Sequence, residues 1–327
     1  MQESDILAQS KAAYSQWAEQ WREHAKAHAI YEKKPLSDFE NTGVGKACLL
    51  VANGYSFEEN IETIKKYQHN VDIIACDKTL GSLLDHGITP KFCIVCDANV
   101  NYETYLKPWV DKVGEVILLT NACANPVWTE KGQWKDRYFF INKDILESEK
   151  EFAKLSGCNN FIPAGTNVSN AMLVMITQCS NEAKRNFFGY DKILCIGFDY
   201  SWRFDGKYYA FSDDGGGKAN YRKHIHCTMV DGSFGYTSGN LAFSAKWFEK
   251  YVVAFQLPVI IGSNKTILSL KSGSLVEHMQ YKYKTEDCSI VKDTVAKLRE
   301  ITKIKNELEN KLTAIGKDHW MSFLTTA

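Results

Sequence analysis

No apolar run reaches the length of about eighteen residues that a bilayer-spanning helix needs, so the chain is expected not to cross a membrane. Its opening, MQESDILAQSKAAYSQW, lacks the basic and apolar regions of a secretion signal, and the expected location is the cytoplasm. An excess of charge is missing too. Lys plus Arg and Asp plus Glu number 39 each, so no net field draws the chain to a polyanion, and nucleic acid is not an expected partner. The ten cysteines lack the spacing that would give them chemistry: Cys48, Cys76, Cys93, Cys96 and Cys195 sit in or beside apolar runs, where a reduced thiol behaves as a small hydrophobe. The C-x-x-C of Cys93 and Cys96 has no second pair or histidines at ligand spacing, and it lies in a strand-like run rather than at a helix start. Neither G-x-G-x-x-G nor a Walker A loop occurs. No D-x-D pair stands near a strand end, which argues against a sugar diphosphate held through a divalent cation.

What is present is an alternation. Apolar runs at 49–52, 71–76 and 92–96 each end in small or polar residues, with helical patterns between them, such as Ile61, Ile64 and Tyr67. Further strand-like runs follow at 113–120, 138–141, 192–197 and 258–261, and helical ones at 164–179 and 241–255. This is the pattern of βαβ units, and the expected class is α/β: a Rossmann-like, mostly parallel sheet with helices on both faces. An amphipathic helix with Leu7, Tyr14, Trp17 and Trp21 on one side, followed by a Pro- and Gly-containing linker, fills 1–42. The sheet domain is expected over 43–284. A helical extension over 285–327 carries a heptad stripe (Val291, Leu298, Leu312; Ile301, Leu308, Ile315) that Thr294 and Lys305 interrupt, so packing on the N-terminal helix or on a second copy is expected.

In such a sheet, ligands bind outside the carboxyl ends of the strands. Those ends carry Asn53-Gly54-Tyr55-Ser56, Asp77-Lys78-Thr79, Asp97-Ala98-Asn99 and Asp199-Tyr200. A glycine after a strand lets the backbone approach a phosphate or ribose, and Asn53 and Ser56 add hydrogen bonds. Asp77, Asp97 and Asp199, each closing a buried strand, cost stability unless a ligand uses them. Lys78 would offset phosphate charge. The stretch 201–227 is too long for a tight connection and reads as a lid or substrate loop; in it Tyr208 and Tyr209 would close over a base or sugar, and His224 and His226, two apart, would serve as general base or phosphate contact.

Together, VANGYS, IIACDKTLGSLLDHGITPKFCIVCDAN, GTNVSNAMLVMITQC, KILCIGFDYSW and DGSFGYTSGNLAFSAKWFEKYV resemble the motility accessory factor glycosyltransferases and the 6-hydroxymethylpterin diphosphokinase domain that shares their core. A fainter similarity, through VANGYS, GFDY and YYAFSDD, is to bacterial sialyltransferases that use a cytidine monophosphate (CMP) sugar without a metal. That likeness implies that Asn53, Gly54, Ser56, Asp77, Thr166, Asn167 and Asp199 contact donor nucleotide and sugar. It leaves the base open, because Gly232-Ser233-Phe234-Gly235-Tyr236 stands where those enzymes carry a histidine, so His224, His226 and Asp231 are its candidates. The expected activity is transfer of a CMP-linked nonulosonic acid to an acceptor hydroxyl, with no cofactor or metal. The rival is a diphosphokinase using ATP and magnesium held by Asp77, Asp97 and Asp199, and the third reading is a non-catalytic nucleotide-binding or assembly protein.

Overall fold

The computed structural model describes residues 3–143, 148–179, 186–203, 205–207, 209–211 and 225–280. The chain divides into two compact units, Met1–Tyr283 and Lys284–Ala327. The expected C-terminal helix and its heptad stripe lie outside the described residues, as do Tyr208 and His224.

In chain order the strands are β1 (Ala47–Val51), β2 (Asp72–Cys76), β3 (Phe92–Val95), β4 (Ile117–Asn121), β5 (Asp136–Lys143), β6 (Phe161–Pro163), β7 (Lys192–Ile196), β8 (Trp202–Arg203), β9 (Ile225–Thr228), β10 (Phe234–Thr237) and β11 (Val259–Ile261). The helices are α1 (Glu3–His28), α2 (Tyr55–Glu59), α3 (Ile61–Tyr67), α4 (Asp77–Asp85), α5 (Tyr102–Tyr105), α6 (Pro126–Lys131), α7 (Ser148–Ser156), α8 (Val168–Thr177), α9 (Gly239–Ala254) and α10 (Leu275–Met279).

Eight strands form one sheet in the order β11-β7-β1-β2-β3-β4-β5-β6, with every pairing parallel, as the α/β Rossmann-like reading requires. The sheet is covered on both faces, which is why its strands read as continuous apolar runs. Along β1 the pleat sends Cys48 and Leu50 to one face, against α8 and α9, and Leu49 and Val51 to the other, against Phe57, Ile61 and Ile64. From β1 to β6 the strands step outward in one direction, and β7 then returns to the opposite flank of β1. The order thus reverses between β1 and β7, the switch point at which open α/β sheets leave a crevice.

Three departures from the sequence reading matter. β5 runs to Lys143, two residues past the expected end, and a short strand, β6, follows it unforeseen. β6 is an edge strand, where Pro163 interrupts no ladder. The stretch expected to be a loop contains β8 and β9, which with β10 form a separate antiparallel sheet of order β8-β10-β9. Ile225, His226 and Thr228 of β9 are all exposed, so no apolar alternation marked that strand.

The N-terminal helix lies in the same unit as the sheet. Trp21 meets Phe152 of α7 edge-on at 6.2 Å, and Arg22 Nε donates to Glu151 Oε1 at 2.6 Å. Its last turn is fixed by His28, fully buried, with Nδ1 2.8 Å from the Ala122 carbonyl oxygen and Nε2 3.2 Å from Thr129 Oγ1. Burial pushes that imidazole down to about 4, so it is neutral at physiological pH.

Candidate functional site

The switch point is held shut by a small polar knot. Ser56, in the first turn of α2, donates its backbone N–H to Asp199 Oδ2 at 2.8 Å and its hydroxyl to Asp199 Oδ1, while Ser56 Oγ accepts the Gly197 N–H at 3.0 Å. Asp199 is 1% exposed; burial pushes its carboxyl up to about 7, against the opposing pull of the two Ser56 bonds. Gly54 fits between these parts only because it has no side chain: a Cβ there would lie 2.5 Å from the Gly197 carbonyl oxygen and closer still to the Asp199 carboxylate. Gly197 itself has φ +74°, a conformation that side chains disfavour.

Above this knot opens a cavity of about 440 Å³. Its floor comes from the strand ends: Asn53 and Gly54 after β1, Cys76 and Asp77 at β2, Cys96 and Asp97 after β3, and Gly197 and Phe198 after β7. Asp77 is 2% exposed and opens α4; burial pushes its carboxyl up to about 6, the Lys78 N–H and ammonium oppose this, and the charge of Asp97 reinforces it. Lys78 reaches over two rings, its Nζ 5.3 Å from the Tyr209 centroid and 5.8 Å from that of Tyr105. Such contacts hold a cation without neutralising it. Tyr209 is drawn in by an antiparallel bridge to Gly54, with the next residue, Ala210, donating its N–H to the Asn53 carbonyl at 3.1 Å.

The opposite wall is the N-terminus of α8, with Thr166, Asn167, Val168 and Ser169 at the cavity. Asn167 caps it, its side chain accepting the Asn170 N–H at 2.9 Å. Buried Asn170 donates in turn to Thr166 Oγ1 and to the Ser244 carbonyl, and accepts from the Tyr200 hydroxyl. Tyr200 sits at φ +52° beside the cavity, a strained conformation for a large side chain. The first N–H groups of a helix have no intrahelical acceptor, so this wall presents donors and a partial positive charge.

A second cavity, of about 540 Å³, adjoins the first and shares with it Cys96, Asp97, Asn142 and Gly165. It lies between α1 and the ends of β3, β4 and β5, with Trp17, Trp21 and Phe152 on one side and Asn99, Asn121 and Asn142 among its polar lining. Asp97 is exposed; its Oδ1 accepts the Asn99 N–H at 2.8 Å and Oδ2 has no hydrogen-bond partner among the described residues.

Of the residues singled out from sequence, Asn53, Gly54, Asp77, Lys78, Asp97, Thr166, Asn167, Tyr200 and Tyr209 meet at the first cavity. Asn99 lines the second, its Oδ1 accepting from Gln20 at 2.9 Å. Ser56 and Asp199 line neither; they are spent on each other beneath Gly54, which corrects the placing of Asp199 among groups that meet a substrate. His226 lines neither cavity: it is exposed on β9 with its ring 4.9 Å from that of Tyr236. The reason is the hidden small sheet, which carries that residue in a hairpin rather than a lid. Asn142 was missed because the fifth strand was ended at Ile141, two residues too early, and Gly197 because only its partner across the switch point shows what its missing side chain makes room for.

The family model described as 6-hydroxymethylpterin diphosphokinase MptE-like matches residues 22–204. The chain belongs to this MptE-like family. The matched span runs from α1 to the end of β8 and holds every residue of the first cavity named above except Tyr209. Among solved structures, the MAf glycosyltransferase from Magnetospirillum magneticum AMB-1 is similar at a TM-score of 0.54 and 14% identity, over 77% of this chain and 38% of that one. The likeness is one of fold, and the chain spans well under half of that larger protein. No curated protein matches the chain. Among the described residues, no helix is long and apolar enough to cross a membrane.

Proposed function

We propose that the chain is a transferase that binds a nucleotide-activated donor in the cavity at the switch point, and that this donor is a CMP-linked nonulosonic acid used without a metal. The observation that carries the reading is the composition of that cavity. A glycine turn without side-chain bulk, a helix N-terminus and the Lys78 ammonium converge there, and these are groups that hold a phosphate. The likeness in fold to a MAf glycosyltransferase supports the transfer of a sugar. Asn53 and Tyr209 would hold the nucleoside, and Thr166, Asn167 and the N–H groups of Val168 and Ser169 the phosphate.

Direct displacement inverts the anomeric centre. The acceptor oxygen bonds to the anomeric carbon, its proton passes to a carboxylate, and the anomeric C–O bond breaks with its electron pair leaving on the CMP phosphate. With His226 on the small sheet and Asp199 beneath Gly54, two carboxylates remain at the cavity, and Asp97, exposed where Asp77 is buried, would take the proton.

One observation favours the diphosphokinase as a second reading: Asp77 and Asp97 line the same cavity. Two carboxylates with substrate phosphates suit magnesium. Asp199, the third expected ligand, is turned to Ser56, and among the described residues no group of three or more His, Cys, Asp or Glu side chains could hold a metal ion.

Thermal unfolding of the purified protein with CMP, CDP, UDP, GDP or ATP, each with and without magnesium, separates the readings. A ligand at a hundredfold excess over Kd stabilises by about 2.7 kcal/mol. Stabilisation by CMP without magnesium is the expected result. A response to ATP with magnesium alone would replace the proposal with the diphosphokinase, and silence toward all five would leave a protein without a nucleotide.

A further inference from the structure

The second cavity has no assigned occupant, and its lining is selective. Trp17 and Trp21 stand four apart on α1, so both project from one face of the helix, and Ala13, a turn earlier, leaves room beside them. Trp21 is engaged: its ring meets Tyr14 at 6.5 Å and Phe152 at 6.2 Å. Trp17 is half-buried and has no hydrogen bond or ring partner among the described residues. A large indole left facing a cavity offers a flat apolar surface that nothing in the described fold uses.

The rest of the described lining mixes small and apolar residues with Asn99, Asn121, Asn142, Ser148 and Asp97, and is almost uncharged. Asn121 is consumed internally, its carbonyl accepting the Cys123 N–H at 2.8 Å and its amide donating to Asn142 Oδ1 at 3.0 Å. That fixes the orientation of Asn142 and leaves its Nδ2 without a partner among the described residues. Among the described residues Asp97 is the single charged group of the lining, so an anionic occupant would find there a like charge and no cation. A flat apolar face opposite amides that both donate and accept matches a saccharide, whose ring presents C–H groups on its faces and hydroxyls around its edge. Asp97 and Asn142, each with a polar atom that has no partner among the described residues, are also two of the four residues that line both cavities.

We infer that the second cavity is the acceptor site and takes a neutral saccharide, its ring lying on Trp17 and its reacting hydroxyl meeting the donor between Asp97 and Asn142. The inference rests on the transferase reading of the first cavity, but its binding test does not. N-acetyllactosamine serves as the neutral probe, 3′-sialyllactose as the anionic one, a Ser/Thr-rich peptide as the protein acceptor and 6-hydroxymethylpterin as the flat heterocycle. Binding is read by titration calorimetry on the full chain, in parallel with CMP-induced thermal stabilisation of the same samples.

The expected result is binding of N-acetyllactosamine in preference to sialyllactose, weakened at least tenfold by Trp17→Ala and largely retained by Trp17→Phe, with the CMP response the same in all three proteins. Binding of the peptide or the pterin instead of the saccharide overturns the inference, as does saccharide binding indifferent to Trp17→Ala. No saccharide binding in a protein that CMP still stabilises overturns the inference alone; saccharide binding without any CMP response overturns the donor reading and leaves a saccharide-binding protein.

Discussion

Gly54 and Asp199 define one constraint from two sides, and each can be tested by substitution. A methyl group at Gly54 must displace the Gly197 carbonyl or the Asp199 carboxylate, neither of which is a flexible side-chain end. Overpacking of this kind costs about 1 to 3 kcal/mol, so Gly54→Ala is expected to lower the urea midpoint clearly, whereas Gly114→Ala, whose added carbon would find its nearest neighbour at 3.8 Å, leaves it almost unchanged. Equal midpoints for the two variants would show that the turn can move aside. Asp199 makes the same knot sensitive to pH. Its carboxyl is pushed up to about 7 in the folded protein, while an exposed one in the unfolded chain titrates near 3.9, so between about pH 4 and 7 the folded state holds a proton that the unfolded state has released. Its contribution to stability is therefore full below about pH 4 and falls as pH rises through 7, with a slope approaching 1.4 kcal/mol per pH unit inside that window. Asp199→Asn is expected to remove that slope from the difference between folding free energies measured at pH 5 and pH 7; an unchanged difference would place the titration elsewhere.

At the scale of elements, α8 joins fold to site. Asn167 caps the helix and faces the cavity, so the two roles can be separated by choosing the replacement. Asn167→Ala removes the cap at a cost of about 1 kcal/mol, while Asn167→Asp keeps it and adds a negative charge that suits the helix dipole. The same charge repels a phosphate. The aspartate variant is thus expected to be as stable as the parent yet to bind CMP at least tenfold more weakly by titration calorimetry, and unaltered affinity would move the phosphate away from α8. This junction also shows what could be read in advance. The Gly-led loop followed by a largely apolar run announced the helix, though not its cap, and the strands buried on both faces, such as β1 and β7, announced themselves through unbroken apolar runs. The strands of the small sheet did not: β8 is two residues long and β9 is solvent-exposed, so neither period nor hydrophobicity distinguishes them from a loop. Site residues on well-marked strand ends were legible for the same reason, and the role of His226 was not, because it depends on a hairpin that the sequence conceals. Ser56 and Asp199 were legible as polar residues at strand ends, but only their spatial pairing across 143 positions reveals that they serve each other rather than a ligand.

At the scale of the molecule, the arrangement separates a rigid frame from the parts that touch ligand. β1, β2, β3 and β7 lie between two packed layers, and their apolar residues are almost wholly buried. Their amides can exchange with solvent only when the unit unfolds. The small sheet is different: Ile225, Val230 and Phe234 are exposed, and its hairpin is tied to the frame by a few bonds, among them the Val230 N–H to the Thr266 carbonyl at 3.0 Å and the Asp231 N–H to the Asn264 carbonyl at 3.0 Å. Hydrogen exchange followed by mass spectrometry is expected to show β9 and β10 opening orders of magnitude faster than β1 and β7, since local opening needs far less free energy than global unfolding. Adding CMP should then slow exchange at the β1–α2 turn, the first turn of α8 and residues 209–211, where nucleoside and phosphate would sit, while leaving β9 and β10 as they were. Protection centred on β9 instead would put the small sheet over the ligand and restore His226 to the chemistry, because a hairpin closing on the cavity would carry that imidazole with it.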